Sequence, residues 1–186
     1  DVLAARRGPH PRRPVARGFS DQLRGKTILD VERRGKYILI LLAGDIVWIF
    51  HLGMSGKLIC VAADRPREKH DHIVVGLDNG HELRYHDPRR FGLSLLVPRS
   101  ELEALPQIKV LGLDPFHQGF NGIYLYSVAR SSRRRIRDLL IDQGVVVGVG
   151  NIYANEILFR AGIRPTTRAW KLGRVRVKRI ARMVPK

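Results

Sequence analysis

Two stretches in the first half of the chain combine cationic and apolar side chains in a way that suits contact with nucleic acid. Arg33-Arg34-Gly35-Lys36-Tyr37 opens an apolar run, and Met54 lies between glycines in His51-Leu-Gly-Met-Ser-Gly-Lys57. A lysine with the ordinary pKa of about 10.4 is protonated at neutral pH, so Lys36 suits a phosphate contact or proton donation. Taken alone, Lys36 also fits a solvated strand end and Met54 also fits core filler.

The segment Asp87-Pro-Arg-Arg-Phe-Gly92 places Arg89 and Phe91 alternately on an extended tip. An apolar side chain at such a tip can enter a base stack, and an arginine can pair with a base that has lost its partner. Together they would offset the few kcal/mol that flipping a base out of a duplex costs. The alternative places Phe91 in the core. We expect Arg90 to form a structural ion pair.

Lys69-His70-Asp71-His72 places two histidines on one face of a strand. Two histidines without further ligands are weak evidence for a metal site, and we predict no bound metal in this chain. Asp71 is expected to orient a neighbouring histidine.

A glycine-punctuated, β-branched run precedes a predicted helix over residues 151–161. Asn151 is a competent N-cap, and Gly162 a competent residue just beyond the helix. Gly148 and Gly150 allow close approach to the free N–H groups of a helix start, which attract anions. The alternative is a buried glycine turn between packed helices.

An arginine-rich segment precedes this turn. Ser132 is predicted to cap a helix whose apolar face is Ile136, Leu139 and Leu140. Positive charge in the first turns of a helix opposes its dipole, and a bound phosphate would compensate. A solvated arginine face is the alternative. The residues concerned are Arg133, Arg134, Arg135 and Arg137.

Composition favours a polyanionic partner. The 186 residues carry 34 Lys and Arg against 17 Asp and Glu, a net charge of +17. Such an excess indicates DNA, RNA or a membrane surface. The sequence has no apolar run of the roughly 20 residues that a membrane span needs and no visible signal peptide. Cys60 is the only cysteine, so the chain holds neither a disulfide framework nor a four-cysteine zinc site.

The pattern predicts an α+β protein with a boundary near residue 110. Residues 1–25 read as a solvated basic arm, and Asn79-Gly80 predicts a hairpin with a type I′ turn. Regular short strands favour an antiparallel sandwich or barrel, followed by helices that include a basic one over 171–182. The predicted strands are Thr27–Glu32, Tyr37–Ala43, Asp45–Leu52, Lys57–Val61, His72–Leu77, Glu82–His86 and Leu93–Val97.

These motifs together resemble the formamidopyrimidine-DNA glycosylase / endonuclease VIII family, nearer the former, over about residues 24–170. The resemblance implies a β-sandwich domain over residues 1–110 and a helix–two-turn–helix DNA-binding domain over 111–186. It implies that Lys36 is the proton donor for β-elimination and that Glu156 supports the turn from a buried position. By the same resemblance, DNA is contacted by Met54, His70, Arg89, Phe91, Arg133, Arg137, Gly148, Gly150 and Asn151.

The implied activity is excision of oxidised purines, such as 8-oxoguanine and formamidopyrimidines, from duplex DNA and cleavage of the abasic strand by β,δ-elimination. The family's N-terminal proline nucleophile with its acidic neighbour and its C-terminal zinc finger have no counterpart in these residues, which alone should be inactive. A non-catalytic damaged-DNA-binding module is the alternative, and a basic RNA-binding protein ranks below it. We expect an intracellular, nucleoid-associated monomer that binds double-stranded DNA in a groove between its two halves.

Overall fold

A computed structural model describes residues 2–7 and 18–184, with side chains from residue 18 onward. The chain forms two compact units, Asp1–Glu103 and Ala104–Lys186. None of the helices in this described part is both long enough and apolar enough to cross a membrane.

The first unit contains two antiparallel four-stranded sheets. One has the order β1-β6-β7-β5 and the other β2-β3-β4-β8, with a short helix, α1 (Phe19–Leu23), beside them. Hairpin connections join β2 to β3, β3 to β4 and β6 to β7. The strands are β1 (Val2–Arg7), β2 (Ile28–Arg34), β3 (Tyr37–Leu42), β4 (Ile46–His51), β5 (Lys57–Ala62), β6 (Asp71–Leu77), β7 (His81–His86) and β8 (Leu93–Pro98).

The core of this unit lies between the two sheets, which makes it a sandwich. Trp48 and Phe50 of β4 are fully buried and meet Tyr85 of β7 and Phe19 of α1 in one apolar cluster. Phe19 contacts Trp48 edge-on at 5.7 Å between ring centres, and Phe50 lies 5.4 Å from Tyr85. Alternating β-branched and aromatic residues suit such a two-layer core because successive side chains point to opposite faces of a strand.

The second unit is helical. Its core gathers the apolar faces of four helices with the valine-rich turn at residues 145–149. Asn121 caps α3 by accepting from the amides of Ile123 and Tyr124 at 2.9 and 3.0 Å. The helices are α2 (Pro106–Lys109), α3 (Gly122–Arg130), α4 (Ile136–Leu140), α5 (Asn151–Arg160) and α6 (Arg174–Met183), with a short 3-10 turn at Ala169–Lys171.

The predicted α+β class, with an antiparallel sandwich followed by helices, is confirmed. Each of the seven predicted strands is present with its ends within two residues, and the basic helix begins at Arg174. The prediction of a solvated arm over residues 1–25 is wrong in two places, since β1 pairs with β6 and Phe19–Leu23 is helical. Residues 8–17 of that arm lie outside the described part.

Two local predictions need correction. The hairpin at Asn79-Gly80 forms, but only Gly80 has a positive φ, 77°, whereas a type I′ turn needs positive φ at both residues. The N-cap of α4 is Arg135, so Ser132 does not cap that helix. The hydroxyl of Ser132 instead accepts from the amide of Arg134 at 3.3 Å. The apolar face of α4 is buried as predicted.

Candidate nucleic-acid interface

Lys36 occupies a tight turn. Only Gly35 and Lys36 connect the paired residues Arg34 and Tyr37, and Gly35 has φ 61°. A two-residue hairpin loop with glycine in its first position is a favoured connection between twisted strands. The turn leaves Lys36 exposed at its tip, yet partial burial lowers the pKa of its ammonium below the ordinary 10.5. A lower pKa makes this lysine a better proton donor near neutral pH.

The charge of Lys36 acts on His51, at the end of β4. Its ring lies 5.0 Å from that of Tyr37, with which it is paired across the strands. Burial and the charge of Lys36 lower the pKa of His51, so the imidazole is neutral at physiological pH. Its Nδ1 accepts from the amide of Gly53 at 3.2 Å, which fixes the start of the loop that carries Met54.

The β4–β5 loop and the β7–β8 loop pack backbone against backbone. Gly53 has φ 64°, and a Cβ there would lie 2.8 Å from the carbonyl carbon of Phe91, so only glycine fits. Met54 next to it is 73% exposed and Phe91 is 45% exposed. The guanidinium of Arg89 lies 4.8 Å from the centre of the Phe91 ring. Met54, Arg89 and Phe91 are therefore brought onto two adjoining loops, and the core placement of Phe91 is wrong.

The buried carboxylate of Asp87 holds these two loops together, a role that no motif in the sequence indicates. It is 1% exposed and accepts from the amide of Gly92 at 2.8 Å, the hydroxyl of Ser55 at 3.0 Å and the hydroxyl of Tyr85 at 3.1 Å. Burial opposes its ionisation, but these hydrogen bonds outweigh burial and hold the pKa of Asp87 below its ordinary value. Burial and the neighbouring Asp87 charge raise the pKa of Tyr85, which stays a donor.

Arg90 differs from the expectation of a structural ion pair. No ion pair joins it to any residue between 18 and 184. Its backbone instead has φ 56°, an uncommon value for a residue other than glycine, and its amide donates to the carbonyl of Asp87 at 3.2 Å. Arg90 thus forms the bend that sends Arg89 and Phe91 to the loop tip.

His70 lies among two other imidazoles, beside the end of β7. Its ring centre is 5.8 Å from that of His86 and 6.2 Å from that of His72. The Nδ1 atom of His70 is buried and has no hydrogen-bond partner in the described structure. His72 Nε2 lies 2.9 Å from the carbonyl of Asp87, and His86 Nδ1 lies 2.9 Å from Asp71. Asp71 therefore orients a histidine as expected, although that histidine is on the neighbouring strand.

No set of three or more His, Cys, Asp or Glu side chains in the described part could hold a metal ion. Burial opposes the ionisation of Asp71, but the amide of Glu68 and the His86 side chain hold its pKa below the ordinary value. The histidine cluster is thus organised by hydrogen bonds to Asp71 and to the carbonyl of Asp87, with the Glu68 carboxylate 3.9 Å from His86.

The loop that leads into His70 is anchored by Arg84, a buried side chain of β7 that sequence reasoning also missed. Arg84 is 1% exposed and donates to the carbonyl of Pro66 at 2.9 Å and to that of Arg65. It also pairs with Glu82 at 2.8 Å. A buried arginine that satisfies backbone carbonyls and a carboxylate together fixes a loop in one position.

In the second unit, the side-chain amide of Gln143 organises the glycine turn. Its Nε2 donates to the carbonyls of Ile141 and Val149 at 2.9 and 2.8 Å. Its Oε1 accepts from the amide of Gly148 at 2.9 Å, and Gly148 has φ 87°. A side-chain amide offers two N–H donors and a carbonyl acceptor without carrying a charge, which is what this pattern of three hydrogen bonds requires. The prediction of a tight glycine turn ahead of α5 is confirmed.

Asn151 begins α5 but does not cap it. The N-cap is Gly150, and the Asn151 side chain instead accepts from Arg137 Nη2 at 2.9 Å. Glycine can serve as an N-cap, though without a side-chain hydrogen bond. Arg137 and Asn151 thus sit together at the helix start, while Arg133 is exposed on the loop before α4. The helix ends as predicted, with Gly162 at φ 64° just after Ala161.

Glu156 is exposed, so the expectation of a buried support for the turn is wrong. It lies two positions after the buried Ala154 and next to the buried Ile157, on the outward face of α5. In the described part it forms no ion pair with Arg160.

Comparison with protein families matches two domain models to this chain. Residues 2–94 match the formamidopyrimidine-DNA glycosylase N-terminal domain, and residues 111–186 match the formamidopyrimidine-DNA glycosylase H2TH domain. Formamidopyrimidine-DNA glycosylase of Hahella chejuensis is 47% identical over 178 residues, covering 96% of this chain and 65% of that protein. The Xanthomonas campestris protein of the same name is 45% identical over 175 residues, covering 94% and 64%. The chain thus spans just under two thirds of the length of these relatives.

Comparison with solved structures also finds proteins of this family. The Lactococcus lactis Fpg in complex with DNA containing an abasic site superposes with a TM-score of 0.90 at 31% identity, covering 98% of this chain and 68% of that one. The same enzyme in complex with DNA containing FAPY-dG gives a TM-score of 0.90 over 98% and 69%.

Proposed function

The chain belongs to the formamidopyrimidine-DNA glycosylase family, and from this premise we propose that its parent protein is a bifunctional DNA glycosylase and AP lyase of base-excision repair. Its substrates are duplex DNA with oxidised purines, such as 8-oxoguanine and formamidopyrimidines, and abasic sites. Two similar structures hold DNA with an abasic site and with FAPY-dG, which supports this substrate class. We further propose that the protein is intracellular, associated with the nucleoid, and binds the double helix as a monomer.

Lys36 carries the lyase assignment most directly. It lies at the tip of a two-residue turn, and burial lowers the pKa of its ammonium. We assign it the proton that stabilises the leaving 3′ phosphate in β-elimination. A positioned general acid of this kind contributes about 10²–10⁴ in rate.

Met54, Arg89 and Phe91 are assigned to the space that a flipped base leaves. Their loops adjoin, and the Asp87 carboxylate and the glycine contact at Gly53 fix the loops before any ligand binds. A wedge that is already ordered loses little entropy on entering the stack, which favours base eversion. His70 is assigned a contact with DNA.

In the second unit, Asn151 and Arg137 at the start of α5 are assigned a phosphate, with Gly148 and Gly150 allowing close approach, and Arg133 is assigned a further contact with DNA. Their mutual hydrogen bond of 2.9 Å holds one amide and one guanidinium at a helix N-terminus, where anions are favoured.

The zinc of the family's C-terminal finger does not fit the residues present. The sequence contains one cysteine, and the described part holds no set of metal ligands. No step proposed for these residues depends on zinc.

The glycosylase assignment is tested by borohydride trapping of the full-length parent protein on an 8-oxoguanine duplex. A covalent protein–DNA adduct is expected. Tight binding to the damaged duplex without an adduct would contradict the enzyme and favour a non-catalytic damaged-DNA-binding module.

The role of Lys36 is tested in the same parent protein on an abasic duplex. Lys36→Arg keeps the positive charge but holds its proton, because a guanidinium has a pKa above 12. It should bind DNA as the unchanged protein does and cleave the strand about 10²-fold more slowly. Lys57→Arg, on an exposed lysine of the first unit, is the matched control. An unchanged elimination rate in Lys36→Arg would remove Lys36 from proton transfer.

A further inference from the structure

One end of the second unit presents an aromatic ring among arginines, and of these residues the proposed contacts use only Arg133. Arg130, Ser131, Arg133 and Trp170 line a shallow pocket of about 260 Å³. Trp170 is 42% exposed, whereas Trp48, in the first unit, is fully buried. A large aromatic side chain on the surface lacks the stabilisation that burial would give it, so an exposed tryptophan indicates a binding site for another molecule.

Hydrogen bonds hold the walls of this pocket in place. Arg130 Nη1 donates to the carbonyl of Trp170 at 2.8 Å, and Arg168 Nη1 donates to the carbonyl of Arg133 at 3.0 Å. The amide of Ala169 donates to the carbonyl of Arg134 at 2.9 Å. The segment that carries the tryptophan is therefore bonded once to the end of α3 and twice to the loop between α3 and α4, and the pocket exists without a ligand.

The cations around the ring lack counter-charges. In the described part of the chain, no carboxylate forms an ion pair with Arg130, Arg133 or Lys171. Lys171 Nζ lies 5.4 Å from the centre of the Trp170 ring. Arg130 uses one of its five N–H donors on Trp170, and the Arg133 side chain makes no hydrogen bond to residues 18–184. Two guanidinium groups with donors to spare are suited to a phosphate.

We propose that Trp170, Arg130 and Arg133 form a subsite for an unpaired nucleotide, with the base stacked on Trp170 and the phosphate held by the two arginines. The volume of the pocket, about 260 Å³, is just below the range of roughly 300–1,000 Å³ that is typical of small-molecule sites, so the pocket suits a single nucleotide rather than a larger ligand. Aromatic side chains and cations in combination are the usual platform for single-stranded nucleic acid. A base inside a duplex offers no free face, so the nucleotide must come from a single-stranded segment or a strand end.

Backbone contacts of α4 connect the subsite to the glycine turn before α5. The amide of Ile136, the first residue of α4, donates to the carbonyl of Thr167 at 2.8 Å, and Arg135 bridges to Arg168. The next residue of α4, Arg137, binds Asn151. Resting on the proposed function, this placement lets the subsite take an unpaired tail of a DNA whose duplex part is bound at the turn.

Intrinsic fluorescence offers a direct test, since the chain has two tryptophans and Trp48 is buried. The chain is titrated with an undamaged blunt duplex and with the same duplex carrying a short single-stranded thymidine tail. The tailed duplex should quench Trp170 and bind about tenfold more tightly, the gain expected from one stacked base. Equal quenching and affinity for both duplexes would overturn the proposal. Equal quenching by polyglutamate, or by inorganic phosphate, would overturn it as well.

Three variants separate stacking from charge. Trp170→Ala should abolish the preference for the tailed duplex, and Trp170→Phe should restore part of it in an anisotropy measurement. Arg133→Gln should weaken binding of the tailed duplex more than binding of the blunt duplex, while leaving the Trp170 reporter in place. Arg174→Gln, which removes the same charge beside Tyr126 in the same unit, is the matched control and should keep the preference. Loss of the preference in Arg174→Gln alone, with Trp170→Ala unchanged, would contradict the subsite.

The undamaged duplexes keep this outcome separate from the glycosylase assignment. A tail preference lost in Trp170→Ala supports the subsite even if the parent protein forms no borohydride adduct. An adduct formed by a protein without any tail preference supports the glycosylase and rejects the subsite.

Discussion

The two loop clusters that carry the proposed DNA contacts are held together by different chemistry. In the first unit a buried carboxylate, Asp87, accepts from three donors on two loops. In the second unit a neutral amide, Gln143, both donates and accepts within one turn. Hydrogen bonds to an ionised group are the stronger kind but depend on pH, whereas amide bonds are weaker and independent of it. The surrounding groups explain the difference. The groups around Asp87 are all donors and need an acceptor, whereas the turn around Gln143 offers two carbonyls and one N–H and therefore needs a side chain that both donates and accepts.

Removal of the carboxylate should have the largest effect. Asp87→Ala leaves the amide of Gly92 and the hydroxyls of Ser55 and Tyr85 without their acceptor, and we expect a loss of about 4 kcal/mol in the free energy of unfolding. Urea denaturation of the chain measures it. Ser55→Ala, which removes one of the three bonds, should cost only about 1 kcal/mol. Equal losses in the two variants would show that Asp87 does not join the loops.

Removal of the amide should have a smaller effect. Gln143→Ala loses three neutral hydrogen bonds, so we expect about 2 kcal/mol by the same denaturation. Gln143→Glu has nearly the same shape but places a carboxylate against the carbonyls of Ile141 and Val149, and should be the less stable of the two at neutral pH. A Gln143→Glu protein as stable as the unchanged chain would contradict the assigned bonding.

Low pH should reduce the stabilisation that Asp87 provides but not the stabilisation that Gln143 provides. Because the pKa of Asp87 is lowered in the folded chain, its stabilisation is complete above the ordinary 3.8 and is lost as pH falls through the folded value. The stability difference between Asp87→Asn and the unchanged chain should therefore shrink as pH falls below 3.8, and that between Gln143→Ala and the unchanged chain should stay constant. Urea denaturation curves at a series of pH values test both expectations. The same pH dependence of the stability difference in the two variants would contradict the distinction between Asp87 and Gln143.

The smallest effect on stability is expected where the loops meet the ligand. Phe91 is 45% exposed, so Phe91→Ala should cost no more than about 1 kcal/mol in unfolding free energy. In the parent protein the same change should weaken binding to an 8-oxoguanine duplex more than binding to an undamaged one, because only a flipped base leaves a space to fill. Equal losses on both duplexes would contradict the wedge.

Much of the fold was predictable because its signals are local. Short β-branched runs between glycines predicted each strand from β2 to β8, and the period of Ile136, Leu139 and Leu140 predicted a buried helix face. The strand β1 was missed because its arginines look like a solvated arm, and only pairing with β6 makes it a strand.

The site was predictable where a motif exposes its residues and not where long-range contacts decide. Lys36 and Met54 lie at glycine turns that the sequence marks plainly. The roles of Asp87 and Gln143 depend on which backbone groups surround them after folding, and no spacing rule reports that. Glu156 was misplaced because family likeness, rather than the helical period, put it in the core. The period places it beside Asn155 on the exposed face of α5.

The arginine stacked above Phe91, Arg89, also affects the solubility of the protein in the absence of DNA. An exposed aromatic ring next to an exposed methionine is a patch through which copies of a protein stick to one another. Here a guanidinium 4.8 Å from the ring centre covers one face, and a net charge of +17 keeps neighbouring molecules apart. Arg89 therefore shields the Phe91 ring from other copies of the protein while no DNA is bound. Light scattering should show more self-association in an Arg89→Ala protein than in a Phe91→Ala protein.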